Sequence, residues 1–191
     1  MGNTPLICGG RIGWRNEYKK SCYSLKEDGD WNLEASANLN TARALAANGH
    51  VIMNNKLVIA GGWSGRGLLD TIEVVASNTK AETLSIRVPV ALSESCIVPW
   101  DHQTFMIIGG VSGNRISRET YFINMDNNKI TNGPSLQTGR YIFACNTINV
   151  NGEDYILVAG GGGSAALNTT EYISKVNYEG GWKKSKNWTV I

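Results

Sequence analysis

Proline is scarce in this chain, with four in 191 residues, and no apolar run approaches the roughly 18 residues that a membrane span requires. Neither sign of charge dominates, since 18 basic and 16 acidic residues leave a formal net charge of +2. That balance gives no basic footprint for nucleic acid, and no aromatic-basic strand face accompanies it. Membrane insertion is excluded on the same sequence. There are two histidines, His50 and His102, and neither has Cys, His or carboxylate partners at metal-ligand spacing. No Ser-His-Asp set or paired carboxylates can be picked out, so the expectation is a non-enzyme with no cofactor and no metal. Periodicity of 3.6 residues is missing too, although "ASANLNTARALAA" (35–47) is rich in alanine. The opening "MGNTPLICGG" has no basic region followed by an apolar one, and Leu6 stands where a myristoylation motif wants Ser or Thr.

What the chain has in abundance is glycine, 22 residues in all, and much of it is periodic. The stretch "KLVIAGGWSGRGLLDTIEVV" (56–75) poses the choice between a phosphate cradle after a strand and plain punctuation between two strands. Four copies decide it. "LICGG", "LVIAGG", "FMIIGG" and "ILVAGG" end at Gly10, Gly62, Gly110 and Gly161, at intervals of 52, 48 and 51 residues. A nucleotide site needs one such loop, with Gly-Lys-Ser/Thr or G-x-G-x-x-G, and neither motif is present. A period near 50 signals a repeat architecture.

Each unit reads as four short strands, a to d. Strand a ("GHVIM", "SCIVPW", "CNTINV") turns tightly into strand b, which stops at Gly-Gly. A longer loop leads to strand c ("SCYSL", "TIEVVAS", "ETYFINM", "TEYIS"), and a turn such as "EDGD", "MDNN" or "NYEGG" leads to d. Gly, Asn and Asp in those turns are the residues that hairpins demand. Trp31 and Trp182 each lie 21 residues after the second glycine of their unit, where the middle units have Thr83 and Thr131. "LNTAR" (39–43) and "LQTGR" (136–140) precede strand a in two units, and "LSESC" (92–96) is the expected counterpart without Arg. The chain is expected to be all-β.

The periodic set resembles the kelch repeat: Gly9-Gly10, Gly61-Gly62, Gly109-Gly110 and Gly160-Gly161 after apolar b strands, Tyr near strand c, and Trp about twenty residues on. The resemblance implies a β-propeller region of about four blades, near 4–36, 43–88, 93–132 and 140–188. Three would be complete and the first would lack its a strand, for about 15 strands. That count implies an open segment of a larger propeller that self-associates through its ends, with a closed four-bladed ring as the alternative.

Loops on a propeller rim carry function while strands are committed to packing. The b–c loops hold Arg11, Trp14, Arg15, Trp63, Arg66, Arg115 and Arg118, which would form a basic, aromatic-lined rim. In kelch adaptors these loops bind acidic segments, so the resemblance implies an acidic protein partner; a merely solvated rim is the plainer reading. A second implication is a carbohydrate-acting or carbohydrate-binding propeller, as in galactose oxidase or sugar epimerases. Arg43 and Arg140 are expected to hydrogen-bond carbonyls of a neighbouring blade, and Trp31 and Trp182 to pack between blades. Cys8 and Cys22, on adjacent strands, can reach each other for a disulfide, whereas Cys96 and Cys145 read as small core residues. Two glycosylation sequons occur, at Asn168 and Asn187. The compartment, cytoplasmic or extracellular, stays open.

Overall fold

The computed structural model describes residues 5–13, 17–27, 29–33, 37–49, 51–76 and 79–185. Apart from short 3₁₀ turns, every regular element among them is a strand, and the chain is all-β. The first sheet has the order β1 (Leu6–Cys8), β4 (Cys22–Leu25), β5 (Trp31–Leu33), with a small hairpin of β2 (Arg11–Ile12) and β3 (Glu17–Tyr18) in its first connection. The second sheet runs β6 (Ile52–Met53), β7 (Lys56–Ala60), β8 (Thr71–Val75), β9 (Glu82–Arg87). The third is β10 (Cys96–Pro99), β11 (Thr104–Ile108), β14 (Thr120–Asn124), β15 (Lys129–Asn132), with β12 (Val111–Ser112) and β13 (Arg115–Ile116) as its loop hairpin. The fourth is β16 (Ala144–Val150), β17 (Glu153–Ala159), β18 (Thr170–Ser174), β19 (Lys183–Lys184). All pairings between these strands are antiparallel, and an isolated parallel bridge joins Asn48 to Cys96. The tight turns use residues that tolerate the left-handed region: Asn54 and Asn55 at φ 50° and 60°, and Asn151-Gly152 at 53° and 85°. Two consecutive positive φ values give a turn whose twist matches that of the flanking strands.

Three hydrophobic clusters join the sheets face to face in chain order. Cys22 and Leu39 pack with Val75 and Ala81 between the first and second sheets. Val58, Ala60, Ile72 and Val74 meet Ile97, Phe105, Ile107 and Ile123 between the second and third. Val98, Met106, Ile108 and Phe122 meet Ile156, Val158, Ile173 and Trp182 between the third and fourth. Burial along each strand follows from this. All five residues of β11 are buried, because both of its faces are covered. In β17, Ile156 and Val158 are buried while Tyr155 and Leu157 are half-exposed, because one face alone is covered.

Gly-Gly marks two close backbone crossings. A Cβ on Gly9, Gly61 or Gly109 would lie 2.7, 2.5 or 2.8 Å from the carbonyl oxygen of Arg43, Leu92 or Arg140, each in the following unit. A Cβ on Gly62, Gly110 or Gly161 would lie 2.7, 2.6 or 2.7 Å from the carbonyl of Ala44, Ser93 or Tyr141, in the same unit. Every glycine of these pairs also has positive φ. The inner edge is stitched further: the Glu94 N–H donates to Leu45 O (2.9 Å) and the Ile142 N–H to Glu94 O (3.0 Å). Those three residues hold φ of 53°, 56° and 48°, an uncommon conformation for non-glycine residues and a strained one for β-branched Ile142.

Two disulfides are present. Cys8 and Cys22 sit directly opposite on β1 and β4, with Cα atoms 4.0 Å apart. Cys96 and Cys145 are not the separate core thiols expected from sequence: they are bonded across 6.2 Å between Cα atoms, joining the inner strands of the third and fourth sheets. The bond closes because β10 and β16 lie side by side where those sheets meet. Replacing both Cys96 and Cys145 with Ala is expected to lower stability by about 4 kcal/mol on a loop-entropy scale, read from urea unfolding.

Candidate binding rim and the buried pairs beneath it

The b–c connections leave every sheet at its Gly-Gly end, and the same main-chain bonds fix three of them. The N–H of Arg43 donates to Lys19 O (3.0 Å), that of Leu92 to Leu69 O (3.1 Å) and that of Arg140 to Ser117 O (3.4 Å). Each loop thus clamps the segment leading into the next unit, and the loops share one end of the stack. On that end Arg11, Arg66 and Arg115 are exposed, and none of the three makes an ion pair among the described residues. Arg118 is exposed as well, but its Nε donates to Leu136 O at 2.7 Å. Arg115 and Arg118 line one cleft of about 460 Å³ with Ser112, Ser117, Glu119 and Tyr121, and with the exposed apolar residues Val90 and Ile116. Burial, and after it the Glu119 carboxylate, raises the Tyr121 pKa, so this phenol stays protonated.

The first two loops touch. Arg11 is the cross-strand partner of Tyr18, and the Tyr18 ring lies over Gly65, where a Cβ would come within 2.8 Å of it. Gly65 is the immediate neighbour of Arg66. Trp63 is partly exposed and bridges Ala44 and Leu68 through its backbone. Trp14, Arg15 and His50 lie outside the described residues, and His102 sits exposed on the β10–β11 turn. Trp182 is buried between sheets, its Nε1 donating to Pro134 O at 2.8 Å. Trp31 is exposed on the outer face of the first sheet, because the described chain places nothing over that face.

The Arg43 and Arg140 side chains correct the expectation of a bond to a neighbouring unit. Arg43 Nη1 donates to Gly61 O (2.8 Å) and Thr71 O (3.1 Å), and Nη2 to the Thr71 hydroxyl (2.9 Å) and the Glu73 carboxylate, all within its own unit. Arg140 repeats the set with Gly160 O (2.9 Å), Thr169 O (3.1 Å) and Glu171 (2.7 Å). The backbone reaches the neighbour instead, with the N–H of Gly10 donating to Arg43 O and that of Gly110 to Arg140 O. Each carboxylate is completed by two backbone N–H groups, Asn40 and Thr41 on Glu73, and Gln137 and Thr138 on Glu171. All four charged side chains are at most 1% exposed. Burial lowers the Arg43 pKa against the raising influence of Glu73, and a guanidinium stays charged regardless.

In the third unit the hydrogen-bond frame identifies "VPVAL" (88–92), not "LSESC", as the counterpart of "LNTAR". Gly62 donates to Leu92 O as Gly10 does to Arg43 O, and Val88 to Asp70 O as Leu39 does to Lys20 O. Leu92 therefore replaces the Arg, and Tyr121 replaces the Glu; both are buried in the same apolar cluster. The carboxylate partners were missed from sequence. Their signal is a Thr-x-Glu that accompanies the Arg in its unit, Thr71-Ile72-Glu73 and Thr169-Thr170-Glu171, and is absent where the Arg is absent.

No family model matches the chain, and no curated protein matches its sequence.

Arg43→Leu strands a buried carboxylate and is expected to cost about 3–5 kcal/mol in urea unfolding. Adding Glu73→Tyr, which copies the Leu92–Tyr121 arrangement, is expected to recover most of that loss.

Proposed function

We propose that the chain is a segment of a kelch-type β-propeller acting as a non-catalytic interaction module, its b–c rim gripping an acidic segment of a protein partner. The propeller reading is supported by sheets of like topology stacked in chain order, with the Gly-Gly crossings recurring at each junction. That it is a segment of a larger ring is supported by the two end faces. The first sheet exposes Ile7, Tyr23, Trp31 and Leu33 at 40–55%. The fourth presents an apolar cleft of about 530 Å³ lined by Ile148, Val150, Tyr155, Leu157 and Tyr172. The register equivalents of Tyr23 (Glu73 and Tyr121), of Leu157 (Val58 and Met106) and of Tyr172 (Val74 and Phe122) are buried in the inner sheets. Gly160 and Gly10 likewise have no carbonyl within 3.5 Å of a notional Cβ, where Gly61 and Gly62 do. Tyr23 stands at the register position of Tyr121, which packs with Leu92, so the segment that covers Tyr23 is expected to bring an aliphatic residue rather than Arg.

One observation carries the binding reading: exposed arginines without an ion-pair partner recur on the same end of the first three sheets, beside a cleft that also offers hydroxyls and apolar walls. Guanidinium groups bind carboxylates in a two-pronged, charge-assisted geometry, and Ser112 and Ser117 add donors at the same place. An acidic peptide with an apolar residue for Val90 and Ile116 matches that chemistry.

Titration of a fluorescent Asp/Glu-rich peptide tests it. Replacing Arg11, Arg66 and Arg115 with Ala is expected to weaken binding by at least about tenfold, which is 1.4 kcal/mol. Lys183→Ala with Lys184→Ala, on the outer strand β19, is expected to leave it nearly unchanged. Equal losses from both sets mean attraction by general charge and not by a rim site. The end faces have their own readout: sedimentation is expected to show concentration-dependent self-association that Ile7→Lys and Leu157→Lys reduce. A sharp monomer with cooperative unfolding favours a closed ring instead.

A further inference from the structure

All four cysteines are committed to two disulfides, one within the first sheet and one between the third and fourth. Neither is an isolated exposed pair. Cys22 and Cys96 are fully buried, and Cys96 belongs to the apolar cluster that joins two sheets. A reducing cytosol keeps such thiols apart, whereas an oxidising secretory compartment closes them. Each bond forms from two thiols with loss of two electrons and two protons to a disulfide-donating oxidant of that compartment. The same compartment modifies asparagine in Asn-x-Ser/Thr sequons on the surface.

Asn168-Thr169-Thr170 is such a sequon, and it lies in the fourth b–c loop, between β17 and β18. Asn168 is exposed, and its side-chain amide makes no hydrogen bond among the described residues. Its loop is lined by small exposed residues, Ser164, Ala165 and Ala166, which leave room for a bulky group. The threonines point the other way: Thr170 is 6% exposed, and the Thr169 hydroxyl accepts from Arg140 at 3.4 Å. In the folded chain the acceptor amide faces water while the rest of the motif is tied into the sheet. The second sequon, at Asn187, lies outside the described residues.

We propose that this chain matures in an oxidising secretory compartment and carries an N-linked glycan on Asn168. The donor is a lipid-linked oligosaccharide diphosphate. A bond forms between the Asn168 amide nitrogen and the first sugar's anomeric carbon, the carbon–oxygen bond to the diphosphate breaks, and the amide proton passes to base as the lipid diphosphate leaves. The fourth loop carries no arginine, unlike the other three. A glycan there screens that quarter of the rim and confines an acidic partner to the first three loops; this last consequence rests on the binding reading above.

The test is to direct the full chain through the secretory pathway of a eukaryotic cell and map peptides of the secreted protein. Amidase release of the glycan in heavy-oxygen water is expected to convert Asn168 to labelled Asp in most molecules. Asn168→Gln is expected to remove that signal and Thr170→Ser to keep it. Digestion without reductant is expected to give the Cys8–Cys22 and Cys96–Cys145 linked peptides. Unmodified Asn168 in the secreted chain, thiols that alkylate without reduction, or failure of the chain to leave the cell each overturns the inference. The mapping involves no ligand, so a glycosylated chain that ignores the acidic peptide removes the rim reading and leaves this one standing.

Discussion

The structure depends on two backbone segments passing each of the inner pairs, Gly61-Gly62 and Gly109-Gly110, at a distance that no side chain could share. With carbonyls 2.5–2.8 Å from where Cβ atoms would sit, the fit is set by hard-sphere contact and cannot be relieved by repacking a side chain. One crossing comes from within the unit and the other from the next, so each inner pair fixes the spacing of its own strands and also the seating of the following sheet. The hydrogen bonds from Gly10, Gly62 and Gly110 to Arg43, Leu92 and Arg140 lock that seating in direction as well as distance.

Beneath each crossing lies a slot that the sequence fills in two chemically opposed ways. Arg43–Glu73 and Arg140–Glu171 fill it with a desolvated ion pair whose carboxylate is also held by two backbone N–H groups. Leu92–Tyr121 fills it with apolar contact. Buried ion pairs gain little over well-packed apolar residues of similar volume, so both solutions can serve the same fold. The charged version differs in that exchanging one partner alone is costly, because it leaves an uncompensated buried charge.

The period and the strand order were legible because steric constraints leave a residue-level mark. Only glycine fits at Gly61 or Gly109, and an alternation such as that of "EDYILVA" records which face is covered. Equally legible was Cys8 facing Cys22, since antiparallel neighbours a few residues apart have few registers to choose from. The partner of Arg43 is marked only by a Thr-x-Glu that accompanies the Arg across its unit, because Glu73 is brought to it by the b–c loop and stands 30 positions away. Cys96 and Cys145 were misread for a related reason: they are 49 positions apart, and their proximity exists only once two sheets have stacked. The counterpart of "LNTAR" was misplaced by pattern matching on Leu-x-x-x-x, which a hydrogen-bond frame corrects and a letter match cannot. For the rim, sequence named the arginines; the cleft around Arg115 and the contact of Tyr18 with Gly65 needed coordinates.

The inter-sheet disulfide also has a mechanical meaning. A chain drawn from its two ends pays out its contour one sheet at a time, but the stretch between Cys96 and Cys145 is short-circuited by a covalent bond. With a sequence separation of 49, about 170 Å of extended length is withheld from any pulling force. The third sheet and the entry to the fourth therefore act as one knot on the line, and extension is left to the segments outside the two disulfides.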